Sequence, residues 1–172
     1  MVAVYRNGDY AADLATVRTR FPDPVVLLTI DVNGSDPTCQ IRDWEPGDYG
    51  GNLEQWVIDS KASGNEWPTI YCDRSDIAGV RAATGSRVLN KDYWLWVATL
   101  DGTVSTTYPD APTGVVAVQF KDFGTYDQSL VFYDSWYPSS APLATPWQAV
   151  VVQENLDSYR VSSTDQGKTW TR

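Results

Sequence analysis

The chain has 172 residues, eight Trp, ten Tyr, two Cys and no His, and its formal net charge is −9. This length suits one domain with a sizeable core, or one domain with a small appendage, and the acidic charge without a basic cluster argues against nucleic acid or an anionic membrane as a partner. The lack of His excludes Ser-His and Cys-His nucleophiles and His-ligated zinc, so any catalysis must depend on carboxylates, Tyr, Lys or Ser.

The first part of the chain is predicted to alternate strands with helices. Residues 2–5, VAVY, are a short apolar run before a turn, and residues 10–21 place apolar side chains on one face without a breaker, which predicts a helix. Residues 25–32 are continuously apolar and rich in β-branched side chains, which is typical of a strand buried on both faces. The next strand is predicted at residues 39–45, where a Pro-Gly turn ends it.

The remaining elements continue this order with fewer helices. Helices are predicted at 52–62, with Asn52 as the N-cap, and at 76–85, and further strands at 68–72, 93–100, 114–120 and 129–134. Strands that alternate with helices indicate βα units and a parallel sheet. Seven strands and three helices fall short of a complete eight-fold barrel, which typically takes about 250 residues. The predicted fold class is therefore α/β, a reduced or incomplete (β/α) TIM-like barrel.

The C-terminal part of the sequence changes character. Residues 138–146, PSSAPLATP, have the composition of a linker, so the predicted barrel domain spans 1–137. Residues 147–172 are predicted to form a small appendage of three short antiparallel strands. Within it, residues 162–170 contain S-x-D-x-G-x-T-W, the spacing of the Asp box of β-propellers. That box is structural, so it supports a β-hairpin and not sialidase activity.

Two carboxylates stand two residues apart at the end of the fourth predicted element, in the stretch CQIRDWEPGDY. Because side chains alternate along a strand, Ile41, Asp43 and Glu45 share one face, and their Cα atoms step by about 6.6 Å from i to i+2. Paired carboxyls about 5–9 Å apart are the machinery of glycosidases, and ligands of parallel barrels bind at the carboxyl ends of strands. Two like charges there also drive their pKa values apart. The alternative is a polar strand end that only happens to be acidic.

Other predicted strand ends carry polar or aromatic side chains of the same kind. Each has an alternative role as a core or turn residue, but together they form a possible ring of acids and aromatics around one barrel mouth. These residues are Asp31, Tyr71, Asp73, Trp94, Trp96, Gln119 and Asp127.

The order of these motifs resembles that of the glycoside hydrolase family 25 lysozymes. The motifs are strand–D-x-E-x-G-D, a helix with Trp, P-x-I-Y-C, W-L-W-V-A, V-A-V-Q-F and Y-D-x-S-L, and they cover roughly residues 25–134. The resemblance is strongest to the shortened family-25-like domains of actinobacterial phages and related secreted proteins. It implies a (β/α) barrel and a muramidase-like glycoside hydrolase that cleaves the β-1,4 bond after N-acetylmuramic acid in peptidoglycan.

The resemblance also assigns roles to residues of this chain. Glu45 is expected to be the general acid, Asp43 to stabilise the N-acetyl group of the substrate, and Asp127 to match the acid of the late motif. The expected substrate-binding residues are the family matches Tyr71, Trp96 and Gln119, together with the strand-end residue Asp31. No cofactor and no metal are expected.

Departures from the family pattern keep other functions open. The family opens with a G-x-D-x-S strand, which has no counterpart before residue 25, it has W-Q where Val118–Gln119 stands, and it has an aliphatic residue where Trp44 stands. The missing acid and the short chain favour a non-catalytic cell-wall-binding or virion structural module, whereas the surviving acids favour the enzyme. A third hypothesis is a metal site, because all its ligands are hard oxygen donors; they are Asp31, Asp43, Glu45 and Asp73.

The expected partner is bacterial cell-wall glycan. The N-terminus lacks the basic and apolar regions of a secretory signal, and no apolar run approaches the roughly 20 residues that span a bilayer. We therefore expect a phage-encoded protein, virion-associated or in the host cytoplasm before release to the wall, whose C-terminal appendage is a candidate dock for other virion proteins. Cys39 and Cys72 are expected to be free thiols, since two cysteines without a CxxC motif do not make a disulfide scaffold.

Overall fold

The computed structural model describes residues 2–21, 26–102, 114–122, 126–132 and 147–152. The strands are β1 Val2–Tyr5, β2 Leu27–Asp31, β3 Ile41–Asp43, β4 Thr69–Asp73, β5 Trp94–Ala98, β6 Val115–Asp122, β7 Tyr126–Val131 and β8 Trp147–Val152. The helices are α1 Leu14–Arg20, α2 Leu53–Ala62 and α3 Ile77–Ala83, and a 3-10 turn at Arg74–Asp76 leads into α3. Among these described residues, no helix is both long and apolar enough to cross a bilayer.

The strands follow one another around a single curled sheet. Strands β1 to β6 pair in parallel with their neighbours in chain order. Strand β7 runs antiparallel to both β6 and β8, and β8 pairs in parallel with β1, which closes the sheet into a barrel. The predicted α/β class with a barrel-like sheet is therefore confirmed.

Strand β8 corrects the predicted domain boundary. Trp147–Val152 was expected to begin a separate appendage, but its residues pair with both open edges of the sheet, Val150 with Val2 of β1 and Trp147 with Val131 of β7. The physical reason is that β1 and β7 would otherwise expose unpaired backbone groups along their edges. The predicted linker at 138–146 and the remaining appendage at 153–172, with its Asp-box motif, lie outside the described residues.

Local sequence explains where the helices begin. The side chain of Asp13 accepts hydrogen bonds from the backbone N–H groups of Ala15 and Thr16 and so caps α1. Asn52 caps α2 in the same way by accepting from the N–H of Gln55, as predicted. The inward face of α2 is apolar, and its buried apolar residues are Leu53, Trp56 and Val57.

Alternate side chains of the strands divide the core into two layers. Tyr71 of β4 and Trp96 of β5 point into the barrel with Ile41 of β3. Their neighbours Ile70, Cys72, Leu95 and Val97 point outward and pack under α2 and α3. This is the two-faced burial that the continuous apolar runs predicted, and it directs every second side chain toward the barrel interior. Both cysteines, Cys39 and Cys72, are buried and free, as expected.

Candidate active site

The acid pair lies at the carboxyl end of β3, but the strand is shorter than predicted. It covers Ile41–Asp43, and the backbone N–H of Trp44 donates one further hydrogen bond of 2.8 Å to the carbonyl of Tyr71 in β4. Glu45 follows in a turn, whose closing hydrogen bond runs from the N–H of Asp48 to the carbonyl of Glu45 at 2.8 Å. The chain therefore leaves the sheet between the two acids, so Asp43 belongs to the sheet and Glu45 to the turn.

Asp43 is a buried carboxyl inside the barrel. Its side chain is 3% exposed, and its Oδ1 atom has no hydrogen-bond partner among the described residues. Burial, and then the negative charges of Glu45 and Asp48, raise its pKa to about 8, while the charge of Arg42 acts in the opposite direction. Asp43 is consequently protonated for the most part at neutral pH.

Glu45 is half-buried and lies closer to solvent than Asp43. Burial and then the charge of Asp73 raise its pKa to about 7, although a hydrogen bond from the Tyr71 hydroxyl stabilises the ionised form. A carboxyl with a pKa near 7 holds a proton that it can donate at neutral pH, which is the property of a general acid.

Asp127 at the start of β7 is a third carboxyl of this group. It is 1% exposed, and burial, followed by the charge of Asp122 opposite it on β6, raises its pKa to about 7. The charge of Glu45 raises this pKa further, whereas a hydrogen bond from Gln119 lowers it. Gln119 is thus a hydrogen-bond partner of Asp127 inside the barrel. This contact satisfies the buried side-chain amide of Gln119.

The two predicted groove aromatics play different parts. Tyr71 is 8% exposed, and burial and the charge of Glu45 hold the pKa of its hydroxyl well above the usual value, so it remains a neutral donor to Glu45. Trp96 is 1% exposed, its Nε1 donates to Ser129 Oγ at 3.0 Å, and its ring meets that of Tyr71 edge-on at 5.1 Å. The ring of Trp96 is thus enclosed in the barrel and supports Tyr71, and a contact of Trp96 with the substrate stays a prediction.

Asp31 does not belong to the acid group. It is fully buried, and its carboxylate accepts from Asn7 Nδ2 and Trp56 Nε1, both at 2.8 Å, as well as from three backbone N–H groups, those of Gly34, Ser35 and Asp36. The inward residue of β2 is its neighbour Ile30. Asp31 is therefore an anchor for the loops outside the barrel, and its role in substrate binding stays a prediction.

The hydrogen bonds of Asp31 also bear on the hypothesis of a metal site, in which Asp31 was one of four expected ligands. Its carboxylate oxygens are already used as hydrogen-bond acceptors on the outer side of the sheet. In the part of the chain that the structure describes, no group of three or more His, Cys, Asp or Glu side chains is arranged to hold a metal ion.

Sequence reasoning missed Tyr5, the last residue of β1. Tyr5 lies in the same inner cluster as Ile41 and Tyr71, and burial raises the pKa of its hydroxyl, with further contributions from Asp43 and Glu45 and then Asp127. It is therefore a neutral hydroxyl beside all three carboxyls. The strand alternation applied to the run VAVY would have found it, because Ala3 and Tyr5 share one face.

Comparisons of this chain with models of protein families, with curated proteins and with solved structures found no match. The chemistry of the barrel mouth therefore carries the functional interpretation. It combines three carboxyls whose pKa values are raised to about 7 or 8 with two tyrosine hydroxyls that stay protonated. Such a group can donate a proton, accept one and hold a polar ligand between hydroxyl and carboxyl groups.

Proposed function

We propose that the chain is a peptidoglycan glycosidase that hydrolyses the glycan strand as lysozymes do, with Glu45 as the general acid and Asp43 as the stabilising carboxyl. The observation that carries the proposal is the pair of carboxyls at the exit of β3, whose pKa values are about 7 and about 8. Glycosidases need one carboxyl that holds its proton at working pH, and a pKa of about 7 gives Glu45 this property.

The proposed roles of Glu45 and Asp43 differ because the two side chains are buried to different depths. Glu45, in the turn, is accessible to a leaving oxygen, and the hydroxyl of Tyr71 orients it and stabilises its anion after proton transfer. Asp43 lies deeper and has an unsatisfied Oδ1, which an amide N–H of a substrate such as an N-acetylated sugar would satisfy. Asp127, which accepts a hydrogen bond from Gln119, is a third carboxyl near Glu45.

The resemblance to the family 25 lysozymes supports this proposal and its finer account of the fold as a shortened TIM-like barrel. The main departure is that this chain lacks the acid that the family carries on its opening strand, and a different residue stands at the corresponding place in the barrel. The inward residue at the end of β1 is Tyr5, which lies beside the carboxyls and can offer a hydroxyl where the family offers an acid. The cell-wall glycan as partner and a phage or virion origin rest on this resemblance alone.

The unusual Trp44 between the two acids does not point into the barrel. Its side chain packs against the outer cluster and meets the ring of Tyr49 at 5.3 Å. Since Trp44 lies outside the barrel, it does not obstruct the space between Asp43 and Glu45. This position favours the enzyme.

The second candidate is a non-catalytic cell-wall-binding or virion structural module on the same barrel. The burial of the inner acids favours it, because Asp43 is 3% and Asp127 1% exposed, and a substrate must reach at least the first of them. The two functions differ in whether bonds of the glycan are broken, so an assay of hydrolysis separates them.

The decisive comparison uses purified cell walls of several actinobacteria. The wild type should release reducing ends, and Glu45→Gln should abolish the release with an almost unchanged Tm, because the amide keeps the shape of the side chain but has no proton to donate. Glu66→Gln is the matched control, since Glu66 is exposed and lies in the connection between α2 and β4. If the wild type releases no reducing ends from any of these walls, the glycosidase is rejected in favour of the binding or structural module.

A further inference from the structure

Arg42 is a buried cation on the outer side of β3, between the inward residues Ile41 and Asp43. It is 1% exposed, so its guanidinium has left water almost completely. A buried guanidinium is stable only when its N–H groups find acceptors. Its partners therefore show what this residue does in the fold.

The guanidinium donates to five backbone carbonyl oxygens. Nη1 donates to the carbonyl of Asp31 at 3.1 Å and also to those of Val32 and Asp43. Nη2 donates to the carbonyls of Asp48 at 2.9 Å and Gly50 at 2.7 Å. One side chain thus joins the exit of β2, the last residue of β3 and the far end of the loop that follows β3.

This loop, residues 44–50, carries Glu45. Arg42 holds it at both ends, through the carbonyl of Asp43 before it and the carbonyls of Asp48 and Gly50 within and at the end of it. The guanidinium carbon also lies 5.7 Å from the ring centroid of Trp44, the residue between the two acids. The planar fork of arginine makes these bonds in several directions at once, which the single ammonium of lysine cannot do.

We propose that Arg42 is a positioning residue of the active site, which clamps the loop 44–50 onto the exit of β2 and thereby fixes Glu45 relative to Asp43. Its catalytic meaning rests on the proposed function, but the clamp itself can be measured without any activity. Arg42 touches neither the substrate nor the reacting atoms, because its side chain lies behind the sheet.

The charge of Arg42 supports this position electrostatically. Glu45, Asp48 and Asp73 all raise the pKa of Asp43, after burial, and Arg42 opposes them. Loss of this charge should therefore raise the pKa of Asp43 further. Lysine at position 42 would keep the charge and lose the clamp, whereas glutamine would lose both.

Gly34 offers a way to disturb the clamp without changing its charge. It has a φ of +77°, and a Cβ atom there would stand 3.2 Å from Nε and 3.4 Å from Nη2 of Arg42, and 3.3 Å from the carbonyl oxygen of Gly50, which Arg42 binds. Gly64 is the matched control, because its φ of +97° imposes similar strain on alanine while no heavy atom of the described residues lies within 4 Å of the Cβ position.

The experiment compares Arg42→Lys, Arg42→Gln, Gly34→Ala and Gly64→Ala by amide hydrogen exchange and by NMR titration of the carboxyl groups. We expect exchange of the amides of residues 44–50 to become about tenfold faster, or more, in the first three variants and to stay unchanged in Gly64→Ala, since charged hydrogen bonds are lost. The pKa of Asp43 should rise in Arg42→Gln and remain nearly constant in Arg42→Lys. On cell walls, kcat should fall more than KM changes in Arg42→Lys.

Amide exchange of residues 44–50 that is equal in Gly34→Ala and Gly64→Ala would overturn the clamp, even if the Arg42 variants do not fold. Wild-type activity on walls combined with an unchanged kcat in Arg42→Lys would overturn its role in positioning Glu45. If the wild type is inactive on all walls, the proposed function fails and the catalytic role of Arg42 fails with it, while amide exchange still decides whether the clamp exists.

Discussion

At the scale of single residues, the site depends on environments and not on residue types. Glu45 and Glu54 are both glutamates, yet burial raises the pKa of Glu45 to about 7, whereas hydrogen bonds from Ser86 lower that of Glu54. Only a buried carboxyl keeps its proton at neutral pH. Against burial and the charge of Asp73, the hydrogen bond from Tyr71 weakens the hold of Glu45 on this proton.

We expect Tyr71→Phe to raise the pKa of Glu45, because the lost hydrogen bond stabilises the ionised carboxylate. NMR titration of the Glu45 carboxyl measures the shift directly. Tyr93→Phe is the control, since Tyr93 is also buried and its hydroxyl accepts from Thr84 in the outer layer. An equal Glu45 titration in wild type and Tyr71→Phe would remove Tyr71 from the site.

At the scale of elements, β8 is the strand on which closure of the sheet depends. Val150 pairs with Val2 of β1 on one side and with Gln128 of β7 on the other. We expect Val150→Pro to lower Tm by roughly 5 °C or more, because proline removes a ladder hydrogen bond in the middle of a paired strand. Val150→Thr keeps the backbone N–H and should lower Tm much less. Equal melting of the two variants would show that this strand does not hold the barrel closed.

The elements also show how far the sequence could be interpreted. Period-two alternation predicted the inward faces of β3 and β5, and apolar stripes with an N-cap predicted α2, because these signals are local. A strand at the start of residues 147–172 was predicted, but its pairing with β1 was not, because a segment rich in Pro, Ser and Ala precedes it and β1 lies at the start of the chain. The side-chain partners of Asp31, Asn7 and Trp56, could not be predicted for the same physical reason, since they are remote in sequence.

At the scale of the whole molecule, the acid cluster couples stability to pH. Asp43, with a usual pKa of 3.8 and a folded value of about 8, binds its proton more tightly in the folded state. Its contribution to stability is therefore complete at low pH and is lost as the pH rises toward about 8. Glu45 and Asp127, whose pKa values are raised to about 7, act in the same direction.

We expect the free energy of unfolding of the wild type, measured with urea, to fall between about pH 5 and about pH 8, and the fall to be smaller in Asp43→Asn, which cannot ionise. Asp59→Asn, at an exposed position of α2, should keep the wild-type slope. A wild type that is as stable at pH 8 as at pH 5 would contradict the burial of these three acids.

The pH–rate profile for release of reducing ends from cell walls tests the central claim most directly. With Glu45 as the general acid, release by the wild type should decline as the pH rises through about 7, where Glu45 loses its proton, and Glu45→Gln should remain at background throughout. A wild-type profile that coincides with that of Glu45→Gln at every pH from about 4 to 9 would contradict the proposed function.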